Sequence, residues 1–166
     1  MVQKRKKVLF LSPLPPPHYG SALSSEACLN ILQTSKEFEV HSIKLNFAKT
    51  MNNIGKINLS KITGVFAIKK QIKKELEDFA PDLVYVMPAT TRVGLIRDSH
   101  IVNFISRHFS GPILLHIRAR ILDKDWKNPV TRNMIRRMLQ NKKVIVLGDA
   151  LQRDVHNCVP AQDIYV

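Results

Sequence analysis

The sequence has little cysteine and no long apolar run, and these absences remove several classes of protein. Its 166 residues include two cysteines, Cys28 and Cys158, with no pairing motif or metal-ligand spacing around either. A disulfide scaffold is therefore excluded, and reduced thiols in a cytoplasmic protein are predicted, although one bridge between them stays open. The apolar run at residues 8–11 is too short for a signal peptide, and no segment approaches membrane-spanning length.

Acidic and aromatic residues are also scarce. The 26 Lys and Arg residues face 13 Asp and Glu residues, which gives a formal charge of +13. More than half of this excess lies in residues 118–143, where nine basic residues face two acidic ones. A chain of this charge attracts anionic partners. Aromatic residues make up 7% of the sequence, and no DNA- or RNA-reading motif is present, so nucleic acid is disfavoured as the partner.

Apolar runs of strand length alternate with segments of helical periodicity along the whole chain. The runs cover residues 8–11, 40–45, 83–87, 113–117 and 144–147, and the helical segments cover residues 21–33, 61–79, 93–109, 129–140 and 149–157. Continuous apolar runs are typical of strands that are covered on both faces. The pattern predicts an α/β, doubly wound, mainly parallel sheet with helices on both faces, a Rossmann-like fold in a single domain of residues 1–166. Residues 46–60 are predicted to form a polar loop.

Ligands of such sheets bind outside the carboxyl ends of the strands, and three segments fall there. The first is the stretch LFLSPLPPPHYGSALSSEACLNIL, in which four prolines separate a strand from a helix. The amino end of the helix presents backbone N–H groups, which predicts an anion site at His18, Tyr19, Gly20 and Ser21. A rigid turn without a ligand is the alternative, because Gly20 is the only glycine here and no G-x-G-x-x-G is present.

The second segment is PATTRVGLIRDSH, residues 88–100, which follows the third apolar run. Thr90, Arg97 and Asp98 are candidate ligand-binding residues. The alternative is structural: Thr90 and Thr91 cap the next helix, while Arg97 and Asp98 make a solvated pair.

The third segment is LLHIRAR, residues 114–120. Residues two apart in a strand share a face, so His116, Arg118 and Arg120 are predicted to project together. A lone histidine in an apolar strand is more often packed than catalytic. Two neighbouring arginines favour a site, because a guanidinium group needs a partner such as phosphate or carboxylate.

The order of these segments, followed by VIVLGDALQRDV and DIYV, resembles the N-terminal domain of family 4 glycosyltransferases of the GT-B fold, over nearly the whole chain. The resemblance implies retaining transfer of a sugar from a nucleotide-sugar donor to a glycan or lipid-linked acceptor. It also implies that the turn with Gly20 and Ser21 approaches donor phosphate or acceptor. No cofactor or metal is expected.

Two features depart from that family. Arg118 stands where the family commonly has a histidine, and His116 lies two residues earlier. The C-terminal domain that binds the donor has no counterpart in these residues, so the expectation is an enzyme when full length and an inactive fragment alone. A basic Rossmann-like module that binds nucleic acid or another anionic partner is the alternative.

The sequence also predicts peripheral attachment to an anionic membrane, at the inner face of the cell membrane. The resemblance contributes here, because many related enzymes act on lipid-linked acceptors, and basic residues flank the apolar stripe of the second helix. The residues predicted to face the membrane are Lys69, Lys70, Lys73, Lys74, Arg136 and Arg137. A solvated face that serves solubility is the alternative.

Overall fold

The computed structural model describes residues 4–45, 59–121 and 123–166. It confirms the predicted fold class, because six parallel strands form one sheet in the order β2-β1-β3-β4-β5-β6, with helices between them. The strands are β1 (Lys6–Ser12), β2 (Phe38–Lys44), β3 (Leu83–Val86), β4 (Ile113–Ile117), β5 (Lys143–Val146) and β6 (Ile164–Tyr165). The short β6 was not among the predicted strands.

Six α-helices lie among the described residues: α1 (Gly20–Thr34), α2 (Leu59–Asp78), α3 (Arg92–His108), α4 (Asp123–Lys127), α5 (Pro129–Leu139) and α6 (Asp149–Gln152). A 3-10 turn at Ala161–Asp163 precedes β6. The five-residue α4 was not predicted, and α6 is shorter than the predicted helix over residues 149–157. Residues 46–58 of the predicted polar loop lie outside the described residues.

Two compact units make up the chain, Met1–Tyr85 and Val86–Val166. The boundary falls within β3. The single domain predicted over residues 1–166 stays a prediction.

In the first unit, β1 supplies a fully buried apolar run, and α2 carries one apolar stripe. Val8, Leu9, Phe10 and Leu11 are buried, and the Phe10 ring stacks on Tyr85 with centroids 5.2 Å apart. The stripe predicted for this helix comprises Val65, Ile68, Ile72, Leu76 and Phe79. Ile68, Ile72 and Phe79 are buried, whereas Val65 and Leu76 are half-buried. β1 and β2 pair in parallel register from Lys6 with Phe38 to Ser12 with Lys44, so both strands end at the same level.

The second unit has its own core, built from α3, β4, α5 and β5. Its largest buried side chains include Leu95, Ile101, Ile105, Leu115 and Ile117. Helix α5 begins at Pro129, and the Asn128 side chain caps it by accepting from the amides of Val130 and Thr131. β4 and β5 pair in parallel up to Ile117 with Val146, so the segments that follow them start at one level.

Candidate functional site

The turn after β1 is fastened to α1 by a chain of hydroxyl groups. The buried Ser12 hydroxyl donates to Ser25, and Ser25 in turn donates to the carbonyl of Ser21 at 2.7 Å. Ser12 is the last residue of β1, whereas Ser21 and Ser25 lie in the first two turns of α1. The chain therefore fixes the start of the helix relative to the end of the strand.

Two contacts with β2 hold the same turn from its other side. The ammonium group of Lys44 donates to the Pro15 carbonyl at 2.5 Å, and the Leu45 amide donates to the Ser12 carbonyl at 2.9 Å. The strand register explains both contacts, because Lys44 lies opposite Ser12 at the end of β2. A cation is thereby held against the proline turn by a neutral backbone group rather than by a carboxylate.

The amino end of α1 lies at the end of this turn. Tyr19 is the N-cap residue, and its carbonyl accepts from the amides of Ala22 and Leu23, but its side chain makes no capping hydrogen bond. His18, Gly20 and Ser21 are exposed, and Tyr19 is half-buried. A Cβ atom on Gly20 would meet nothing within 4 Å, and the first turn of α1 contains no acidic residue. The positive end of the helix dipole is thus open to an anion.

The turn after β3 is held instead by one buried carboxylate, that of Asp98 in α3. Asp98 accepts from the Ala89 amide at 2.8 Å and from Arg97 through Nε at 2.6 Å and a terminal guanidinium nitrogen at 2.8 Å. The interpretation of Arg97 and Asp98 as a solvated pair is wrong, because Asp98 is fully buried and Arg97 is mostly covered. The pair fixes residues 88–91 against α3.

Thr90 and Thr91 lie within this turn. Thr90 is half-buried, and Thr91 is the N-cap residue of α3 without a side-chain capping hydrogen bond. Thr91 contributes its carbonyl, which accepts from the Leu95 amide at 2.7 Å. Gly94 packs so closely under the turn that a Cβ atom there would lie 2.5 Å from the Ala89 Cβ. The predicted capping by the threonine side chain is therefore wrong for Thr91.

Strand alternation accounts for only one of the three residues that it was expected to align. β4 ends at Ile117, so alternation covers His116 but neither Arg118 nor Arg120. His116 is buried, and burial together with the neighbouring Arg118 charge lowers its pKa from 6.5 to about 4. The imidazole is therefore neutral at pH 7, and Arg118 lies close enough to act on it.

Arg120 is directed toward a different partner, the buried Asp154. Its Nε lies 3.9 Å from the Asp154 carboxylate, which also accepts from the Ile121 amide at 2.8 Å. Asp154 follows α6 and holds the segment after β4 in place. Arg120 thus belongs to a structural contact in the second unit.

Sequence reasoning missed Asp125, which it counted only as a charge. Asp125 is fully buried in α4, and Nε of Arg92, the first residue of α3, lies 3.4 Å from its carboxylate without forming a hydrogen bond. The negative charge lies beside the amino end of α3, where the helix dipole favours it. Lys44, Ser25 and Asp154 were missed as well, because their roles depend on partners distant in sequence.

The six residues predicted to face a membrane are divided between the two units. On α2, Lys70, Lys73 and Lys74 are exposed, Lys69 is half-buried, and Lys73 makes a loose pair with Glu77 at 3.8 Å. On α5, Arg136 and Arg137 are exposed, and Arg136 also contacts the thiol of Cys158. Within the described residues, no helix is long and apolar enough to cross a bilayer.

No family model matches the chain, and no curated protein matches it. Among the residues that the structure describes, no group of three or more His, Cys, Asp or Glu side chains is arranged to hold a metal ion.

Proposed function

We propose that this chain is the acceptor-side half of a retaining glycosyltransferase. In this proposal it acts with a donor-binding domain to move a sugar from a nucleotide-sugar donor to a glycan or lipid-linked acceptor. One observation carries the proposal: the exposed amino end of α1, presented by the proline turn after β1 and free of acidic residues in its first turn. The chain order of motifs that resembles family 4 glycosyltransferases supports it.

The strand order also supports a ligand site at the turn after β1. β2 lies on one side of β1 and β3 on the other, so the strand order changes direction at β1. In open parallel sheets the crevice at such a change is the usual ligand site. The ligand chemistry that this turn suits is phosphate, because the helix start offers N–H donors and Gly20 leaves room for close approach.

Binding of pyrophosphate, followed by backbone amide shifts in NMR spectra, tests the site. We expect the largest shifts at Gly20, Ser21 and Ala22. Gly20→Val should weaken binding at least tenfold while the protein still folds, because space is open around Gly20. Ala27→Val is the matched control, since Ala27 is exposed on the same helix two turns further on. Largest shifts elsewhere, or equal affinity in both variants, would contradict the site.

Sugar transfer tests the activity. The 166-residue chain should not transfer sugar from UDP-, GDP- or dTDP-linked donors to membrane lipid extracts. The chain together with a donor-binding domain should do so. Robust sugar transfer by the chain alone would contradict the proposal that a second domain is needed.

A basic binding module for nucleic acid is the second candidate, supported by the net charge of +13. Homopolymer RNA and DNA binding at several salt concentrations separates the two candidates. Tight binding whose affinity falls steeply with salt would favour the module, because each phosphate contact releases counterions.

The proposal places the protein peripherally at an anionic membrane surface, through the basic residues of α2 and α5. Each basic residue near an acidic bilayer contributes on the order of 1 kcal/mol, so the four lysines of α2 acting together hold a domain reversibly. A lipid-linked acceptor would be reached from that position.

A further inference from the structure

The outward face of α2 carries a large apolar side chain that the core does not use. Phe66 is 68% exposed, whereas Ile68 and Ile72 on the same helix are buried. At about 3.6 residues per turn, Phe66 lies roughly 140° round the helix axis from the middle of that buried pair, on the exposed face. An exposed phenylalanine at this position does not stabilise the fold of its unit through burial.

Four lysines follow Phe66 along α2. At about 3.6 residues per turn, Lys70 and Lys73 fall within roughly 60° of one another around the helix axis, with Phe66 between them. Lys69 and Lys74 lie further round on opposite sides. Residues 66–74 contain four lysines and no acidic residue, whereas Glu75, Glu77 and Asp78 follow in the last turn. The four lysines therefore form a cationic strip that starts one turn after Phe66, and Glu77, which lies 3.8 Å from Lys73, stands at its far end.

We propose that this α2 face, defined as Phe66 with Lys69, Lys70, Lys73 and Lys74, docks on an anionic lipid bilayer with the Phe66 ring buried in the interface. The proposal deepens the membrane attachment proposed above and rests on it, but it does not depend on sugar transfer. Charge complementarity assigns the partner: lysines attract acidic headgroups, and an aromatic ring gains by entering the boundary between headgroups and acyl chains.

A bilayer fits this face better than nucleic acid does. Single-stranded nucleic acid is held in a groove where several aromatic rings stack on successive bases. On the described part of α2, Phe66 is the only aromatic side chain, and it stands on the convex surface of one helix. A flat, extended anionic partner matches that shape.

Vesicle co-sedimentation tests the proposal with phosphatidylcholine vesicles and with vesicles that also contain phosphatidylserine. We expect binding to the acidic vesicles alone. Phe66→Ser should weaken it about tenfold, because the apolar ring no longer leaves water. Ile31→Ser is the matched control, since Ile31 on α1 is 69% exposed, and it should leave binding unchanged.

A charge-reversal pair tests the lysines. Lys70→Glu with Lys73→Glu should abolish binding. Lys124→Glu with Lys127→Glu makes the same change of charge at the same three-residue spacing on α4, where both side chains are exposed, and should retain most of it. Equal losses in the two pairs would overturn the assignment to α2, because net charge alone would then explain binding.

Fluorescence reports insertion directly, because the chain has one tryptophan, Trp126. In a Trp126→Phe background, Phe66→Trp should give an emission that shifts to the blue with acidic vesicles and is quenched by brominated lipids. Acidic vesicles that bind without a blue shift would overturn insertion while leaving surface attachment standing. Loss of homopolymer RNA binding in the Lys70 and Lys73 variant, with vesicle binding intact, would overturn the bilayer as partner.

Discussion

The turn after β1 and the turn after β3 both lead from a parallel strand into a helix, yet they are held by opposite chemistry. Hydroxyl and backbone groups hold the first turn, and its nearest cation, Lys44, donates to the Pro15 carbonyl. A buried carboxylate holds the second turn, and its cation, Arg97, is paired with Asp98. Among the described residues, the first turn therefore holds its cation against a neutral carbonyl group, whereas the second turn pairs its cation with a carboxylate.

The same contrast extends through the second unit. Arg92 and Arg120 lie near the buried carboxylates of Asp125 and Asp154, as Arg97 lies against Asp98. Two of these arginines, Arg97 and Arg120, were predicted to bind anions, and all three lie near acidic residues of their own unit. We infer that the excess charge of the chain acts at the first turn and on the lysine face of α2, rather than at these arginines.

Removing the Asp98 carboxylate is the most severe test of the contrast between the two turns. Asp98→Ala should lower the free energy of unfolding by about 3 kcal/mol, because Arg97 and the Ala89 amide both lose their partner in a poorly hydrated place. Asp98→Asn should cost less, since its amide oxygen still accepts from Ala89. Urea unfolding measures the change in the free energy of unfolding for both variants.

Asp78→Ala is the control for this prediction, because Asp78 is exposed at the end of α2. Its effect should stay within about 0.5 kcal/mol. A loss in Asp98→Ala no greater than in this control would show that the buried pair does not stabilise the second turn.

Lowering the pH should reduce the free energy of unfolding, because His116 becomes protonated. Its pKa falls from 6.5 to about 4 on folding, so the folded state binds fewer protons than the unfolded state between these values. Stability from this group is complete above pH 6.5 and is lost as the pH falls toward 4, by up to about 3 kcal/mol.

Urea unfolding at pH 7 and pH 4.5 measures the effect in the wild type and in His116→Gln. The variant should lose less stability between the two pH values, because glutamine does not titrate. Equal losses in both proteins would contradict the buried neutral imidazole.

The sequence was sufficient to predict the parallel sheet and most of its helices, because continuous apolar runs and the α2 stripe are local signals. It was also sufficient to place Gly20 and Ser21 at a helix start after a strand. This prediction was possible because the strand, the proline turn and the helix follow one another directly in the sequence.

Contacts between residues far apart in the sequence could not be predicted from these local signals. Asp154 accepts from Ile121, 33 residues away, and Lys44 donates to Pro15, 29 residues away. No local pattern around Asp125 distinguishes a buried carboxylate from a surface one. Strand alternation also failed past Ile117, because it holds only while the chain remains extended in the sheet.

Two glycines give the finest comparison of the two turns. A Cβ atom at Gly94 would lie 2.5 Å from the Ala89 Cβ and 2.9 Å from the Thr91 hydroxyl, whereas one at Gly20 would meet nothing within 4 Å. Gly94→Ala should therefore destabilise the protein by about 1–2 kcal/mol, since overpacking outweighs the gain in helix propensity. Gly20→Ala should change stability by no more than about 0.5 kcal/mol.

Urea unfolding of both variants, with pyrophosphate affinity measured alongside, separates a packing role from a binding role. Gly94→Ala should lose stability and keep its affinity for pyrophosphate. Gly20→Ala should keep its stability and lose affinity, because even one methyl group narrows the approach to the first amides of α1. Comparable destabilisation by the two substitutions would mean that Gly20, like Gly94, is required for folding, and the first turn would then lose its distinction as the open one.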